Sequence, residues 1–254
     1  MNTSPRIPTF KTGVIRPVEC VREGRVLIGD RYWVLVGINF VGLLLAGSAP
    51  LYILYGPMMC GIAYCFLALK RGEPFEFSDL FKGFGFFGPA FLAGLIQMLP
   101  IFILSMVAYL PLFLLFTVYR PERGGRPDEM FGYLYGGFWL VMLLVVFVSS
   151  ITHLICIFSF PLVVEWKLNG WEAIKVSAQA VRGNLGGAVG LTLLCGLMFL
   201  GGMMVCGIGI YFVMPLIHAA WTVAYRRVFP EYPHHLETPP DPPKWQEWRP
   251  EGGV

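Results

Sequence analysis

Four polar side chains stand inside long apolar runs: Asn39, Gln97, His153 and His218. A histidine held in hydrocarbon is a candidate for proton relay, metal ligation or general-base work, because a titratable group is costly to keep there. Ser149 and Ser150 lie four and three residues before His153, so a hydroxyl and an imidazole share one helical face, in the relation of a nucleophile to its base. Two arguments weigh against catalysis. Serine hydroxyls on apolar helices bond to the backbone carbonyl four residues earlier, and no carboxylate lies within the apolar runs to orient the imidazole or to pair for acid–base work. A metal site fares no better. Structural zinc takes four N or S ligands and catalytic zinc three from the protein. His153, His218 and Cys156 would need Cys195 or Cys206 from across the molecule. The expectation is therefore no catalytic, cofactor-binding or metal site, no cofactor, and four polar positions that are structural or face a lumen.

The elements that carry these residues are apolar helices. Mean hydropathy is +0.64, and only 14% of the 254 residues are charged, against about a quarter in soluble domains. The charges cluster between stretches of about 20 uncharged residues, the length that crosses a hydrocarbon layer. The net charge of +3 is explained by anchoring at helix ends and gives no reason to expect nucleic acid. The first 30 residues are polar and read as no signal peptide, with Tyr32 and Trp33 opening the first span. Five of the six cysteines, Cys20, Cys60, Cys65, Cys156, Cys195 and Cys206, lie in apolar segments without a CxxC, which predicts free thiols.

The fold expected is an all-α integral membrane bundle of six helices, with three interfacial amphipathic helices and a Pro-rich tail. Residues 1–16 read as a flexible N-terminus, 17–227 as the transmembrane domain and 228–254 as a Pro-rich cytoplasmic tail. An amphipathic helix followed by a hairpin recurs from Pro17, Phe77 and Trp171. The apolar faces expected to lie along the membrane surface are Val18, Val21, Gly24 and Ile28; Phe77, Leu80, Phe81, Phe84 and Phe87; and Trp171, Ile174, Ala178, Val181 and Leu185, with Trp171 among lipid headgroups. Asn169 is placed to cap the last of these helices at Glu172. The runs 88–119 and 131–164 exceed what a bilayer needs, so they must tilt, kink or project, and Pro100 and Pro111 are the expected kinks. Gly183 with Gly187, Gly186 with Gly190 and Gly132 with Gly136 have the spacing of close helix packing, within the bundle or between copies.

The strings Gly56-Pro57-Met58-Met59-Cys60-Gly61, Lys70-Arg71-Gly72-Glu73 and Asp79-Leu80-Phe81-Lys82-Gly83-Phe84 resemble bacterial polytopic membrane proteins of unknown function, grouped near the membrane domain of glycerophosphodiester phosphodiesterases. Trp171 to Ser177, Arg182-Gly183-Asn184 and the stretch from Gly207 to Pro215 are similar to that family's second half, so the resemblance covers about residues 17 to 227. It implies a six-helix protein of a bacterial cytoplasmic membrane. It implies no activity, and nothing in these residues corresponds to the soluble phosphodiesterase domain.

Two function classes follow. One is a non-enzymatic scaffold or membrane-homeostasis component that meets the bilayer, and protein partners, through its interfacial helices or through the tail, where Pro239, Pro242 and Lys244 fit a PxxPxK pattern. The other is a permease or lipid and small-molecule transporter with Pro-kinked helices around a central cavity. Neither fixes an oligomeric state. Six spans with both ends cytoplasmic put Lys70, Arg71, Lys82, Lys167, Lys175, Arg182, Arg226 and Arg227 inside, while Arg120, Arg123 and Arg126 fall in an external loop, against the rule. A topology reporter fused after Arg227 is expected to be active only on the cytoplasmic side; activity only outside would overturn this arrangement.

Overall fold

The structure is a computed structural model that describes residues 8–48, 52–118, 127–205 and 207–230. The Arg120–Met130 loop in its first part, Cys206 and the Pro-rich tail from residue 231 lie outside the described residues. The described chain is all helical. Helices α1 (Pro17–Ile28), α2 (Tyr32–Ser48) and α3 (Tyr55–Arg71) are followed by a 3-10 helix, Phe77–Phe86. Then come α4 (Phe87–Val118), α5 (Pro127–Cys156), α6 (Ser159–Trp166), α7 (Gly170–Gly183), α8 (Leu185–Met204) and α9 (Gly209–Val228). Four stretches are long and apolar enough to cross a membrane: Pro17–Ser48, Phe77–Val107, Tyr135–Trp166 and Leu185–Met204.

Three hairpins, α2–α3, α4 with α5–α6, and α8–α9, form the body, each entered through a short amphipathic helix. Those entry helices run antiparallel against the returning helix of a hairpin. The 3-10 helix packs on α3, which it follows; α7 packs on both α4 and α6 of the hairpin that it follows; and α1 packs on α9. As α1 and its extension advance from Glu19 and Glu23 through Gly24 to Tyr32, their partners on α9 run back from Arg227 through Ala219 and Ala220 to Phe212.

Small residues set these crossings. A Cβ added at Gly24 would lie 2.9 Å from the Ala220 nitrogen, and one at Gly83 would lie 2.6 Å from the Gly61 nitrogen and collide with the Pro57 carbonyl. Part of each apolar face is buried inside the protein, Gly24, Ile28, Leu80, Ile174 and Val181 among them, and small neighbours join it. On α1 the buried residues are Cys20, Gly24 and Ile28, with Val18 72% exposed. On α7 they are centred on Ala173, Ser177 and Ala180, with Trp171 and Leu185 exposed. A 3-10 helix repeats every three residues, so Leu80 and Gly83 face inward while Phe81 and Phe84 stack outside with ring centroids 6.5 Å apart. Where backbones touch, the smallest side chains win the interface, and the larger apolar ones turn out toward hydrocarbon, where burial in the protein is not required of them.

Residues 8–16, expected to be loose, are tied down. Lys11 N–H donates to the Val228 carbonyl (2.8 Å), Gly13 N–H to the Gly183 carbonyl (3.1 Å), and Asn184 accepts from Val14 N–H (3.0 Å) while donating to the Lys11 carbonyl (2.8 Å). Added Cβ atoms at Gly183, Gly187 and Gly190 would meet Thr12, Ile15 and Pro17. The GxxxG spacing there seats the protein's own N-terminal segment.

The long apolar runs part company. Helix α4 continues unbroken through Pro100 and Pro111. Beyond Gln97 no described residue on it is buried, so the α4–α5 hairpin projects from the body. The second run breaks instead, between α5 and α6. Ser177 of α7 repairs the break: its hydroxyl accepts from the Phe158 N–H (3.1 Å) and donates to the Ile155 carbonyl (2.6 Å), and Ser159 donates to the Cys156 carbonyl (2.6 Å). Freed backbone groups in an apolar setting need such partners. Asn169 caps α7 as expected, accepting from the Glu172 N–H at 2.9 Å.

Gly24→Ala is expected to lower stability by about 1–3 kcal/mol, because backbone faces the new methyl. Gly85→Ala, where an added Cβ meets nothing within 4 Å, serves as the control; equal melting temperatures for the two variants in detergent would show that the α1–α9 contact is not close.

Candidate functional site

The returning helices end in a charged knot. Glu165, in the last turn of α6, is 2% exposed. It binds the Arg226 guanidinium of α9 in a short contact, takes a hydrogen bond from Tyr225 Oη at 2.8 Å, and faces Arg71 of α3 at 3.3 Å. One carboxylate thus draws together the ends of three helices from three hairpins. Arg71 also grips Glu73 with two bonds of 2.8 and 2.7 Å, which holds that more exposed carboxyl below the usual carboxylate range. A second clamp, Glu19 and Glu23 on Arg227 at 3.0 and 2.7 Å, fastens α1 to α9.

Away from this knot the helices separate around a cavity of about 320 Å³. All three hairpins line it: Tyr55, Ile62 and Phe66 of α3, Gln97 and His153 of α4 and α5, and Thr192 and His218 of α8 and α9 are among the walls. The volume lies at the lower end of the range for small-molecule sites. No Asp, Glu, Lys or Arg contributes to the lining.

The four polar positions singled out in the sequence meet here as two pairs. His218 Nδ1 and Asn39 Oδ1 are 2.6 Å apart, and Asn39 Nδ2 donates to the Leu35 carbonyl at 2.8 Å. That second bond fixes which end of the amide faces the ring, so His218 carries its proton on Nδ1 and keeps Nε2 as an acceptor. On the other wall Gln97 Nε2 lies 3.1 Å from His153 Nδ1 and donates to Tyr55 Oη at 3.2 Å. Neither histidine contacts a carboxylate in these bonds, and both are partly buried in the cavity wall.

The remaining hydroxyls are spent on backbone. Thr192 donates to the Ala188 carbonyl (2.9 Å) and Thr222 to the His218 carbonyl (2.8 Å). Ser150 likewise donates to the Val146 carbonyl at 2.8 Å, four residues earlier, and so is not poised on His153. The Cys156 and Cys195 thiols reach the cavity wall, and five cysteines, Cys20, Cys60, Cys65, Cys156 and Cys195, are buried and unbridged. Among the described residues no three His, Cys, Asp or Glu side chains gather at a point where a metal would sit.

Sequence reasoning marked the four polar residues but not their pairing, and it missed Tyr55, Glu165 as a hub, and Ser177. Tyr55 is one of 11 tyrosines, with nothing local to distinguish it. Glu165 is the exception, since a carboxylate at the inner edge of an apolar run, in a chain whose other span ends carry arginine, is itself a signal for an ion pair.

No protein family, curated protein or solved structure matches this chain, so none bears on the resemblance drawn from its sequence. Glu165→Ala is expected to cost about 3–5 kcal/mol, the range for leaving buried cations uncompensated. Thermal unfolding in detergent checks it, and a loss below about 1 kcal/mol, typical of exposed pairs, would show that the knot is hydrated.

Proposed function

We propose that this protein is a non-enzymatic membrane protein of the permease or lipid-handling class, which takes a small, uncharged, largely apolar molecule from the bilayer into the cavity between its hairpins. The observation that carries this reading is the cavity of about 320 Å³ whose polar side chains are arranged in pairs and whose lining holds no charge. An ionised solute entering it would lose its hydration without a counter-charge. The scaffold reading drew on free amphipathic faces, and here the small-residue faces of α1, the 3-10 helix and α7 are used inside the body.

The same reading takes the chain to have six spans, formed by α2, α3, α4, α5 with α6, α8 and α9, with both ends cytoplasmic in a bacterial inner membrane. What supports it is that Arg71, Glu165 and Arg226 share one end of three returning helices, where the positive-inside rule puts cytoplasmic arginine.

A diazirine-bearing alkane, activated in proteoliposomes, is expected to label cavity residues such as Cys156 and Cys195. Gly196 belongs to the lining and has no atom within 4 Å of an added Cβ, so Gly196→Phe is expected to fill space without unfolding the protein and to abolish that labelling. Labelling confined to outward residues such as Leu140 and Leu143, unchanged in the variant, would sink the proposal.

A further inference from the structure

A groove of about 780 Å³ runs between the end of α1 and the α8–α9 hairpin, and it shares no lining residue with the cavity. Small residues decide where it opens. Ile15 and Pro17 pack on Gly187 and Gly190 of α8, and Gly24 holds α1 against Ala220 of α9. Past these contacts Met198, Gly201, Val205, Phe212 and Leu216 are left as an open apolar floor. Two stretches of membrane-crossing length, Pro17–Ser48 and Leu185–Met204, contribute to its walls, so the floor faces hydrocarbon chains.

Arg25 is the only charged side chain in that lining among the described residues. It is exposed, and it has no ion pair or hydrogen bond among the described residues. The carboxylates of its own helix are engaged elsewhere, Glu19 and Glu23 both by Arg227. Tyr32, which carries the one hydroxyl of the lining, donates it to the Phe212 carbonyl at 2.9 Å. A guanidinium keeps its proton throughout the physiological range, so a fixed positive charge stands beside an apolar floor without a counter-ion.

We propose that this groove holds one anionic phospholipid, with its phosphate on Arg25 and an acyl chain along the floor. The N–H fork of a guanidinium matches two phosphate oxygens, and the chain covers a contiguous apolar surface of the kind that marks a contact site. A phosphate free in water would leave that floor bare. The ammonium or choline of a zwitterionic headgroup would find no carboxylate in the lining. The inference rests on the membrane location of the chain and not on the cavity reading, since the two sites have no residue in common.

The test places the full chain in nanodiscs made of palmitoyl-oleoyl phosphatidylglycerol and the phosphatidylcholine of the same chains, and counts the lipids retained after detergent extraction by native mass spectrometry. The wild type is expected to retain phosphatidylglycerol about fivefold more often than phosphatidylcholine, the scale of one exposed ion pair. Arg25→Gln is expected to bring the two lipids to equal retention. Arg22→Gln, which changes an exposed arginine of the same helix outside the lining, is expected to leave the preference as it was. Gly201→Leu, at a position where an added Cβ meets no atom within 4 Å, is expected to block the floor and lower retention of both lipids at an unchanged melting temperature. Equal retention of the two lipids by the wild type would overturn the proposal, and so would unchanged retention in a folded Gly201→Leu variant. An Arg22→Gln effect as large as that of Arg25→Gln would overturn it by assigning the preference to the net charge of the surface. Displacement of the lipid by inorganic phosphate would overturn it in favour of a soluble anion. Should Gly201→Leu not fold, the two arginine variants decide.

Discussion

A single buried carboxylate fixes the relative positions of the returning helices. Glu165 is sealed from solvent, and two guanidiniums and a tyrosine hydroxyl converge on it from α3 and α9. Removing such a group from water is unfavourable unless each of its oxygens is satisfied, so the arrangement tolerates little change at any of its members. The same three helices line the cavity beside this point, through Phe66 of α3, Phe160 and Pro161 of α6 and Thr222 of α9.

Around this axis the chain uses the same device three times. A short entry helix packs on a hairpin through glycine, alanine or serine, so that backbone meets backbone: Gly83 on α3, Gly170 of α7 on α4, and Gly24 on α9. In hydrocarbon the hydrophobic effect does little to hold helices together, and close packing with hydrogen bonds must do it. The third contact, α1 on α9, joins the beginning of the described chain to its end. Residues 8–16 and the glycine groove of Gly183, Gly187 and Gly190 reinforce that closure, as do the Glu19 and Glu23 clamps on Arg227. The break between α5 and α6 belongs to the same scheme, because it lets Ser177 of α7 hydrogen-bond directly to the exposed backbone of the preceding segment.

The cavity's polar groups are nearly self-sufficient. Asn39 orients His218, Gln97 faces His153 and Tyr55, and the threonines are bound to their own helices. Such economy suits a wall that must be stable in a low-dielectric setting, where each unpaired group weighs against folding. Gln97 Oε1, sealed from solvent, has no hydrogen-bond partner among the described residues, and His218 keeps Nε2 as an acceptor.

By itself the sequence determined the helical class, the apolar stretches, the entry helix and hairpin order, the Asn169 cap and the four polar residues within the apolar runs. Each is written in local composition or in a spacing of three or four residues. Tertiary structure decided which residues of each entry helix are buried in the protein, adding Cys20 and Ser177 and leaving Val18 out, because backbone proximity selects small side chains, a preference that hydrophobic periodicity does not record. It also decided that Asn39 meets His218 and that Gln97 meets His153, across sequence separations of 179 and 56 residues, and that the second long run breaks while the one with prolines stays whole. A proline's effect on a helix can be repaired by its neighbours, and a serine from another helix can support a break where no proline stands, so both outcomes depend on partners that only the fold brings together.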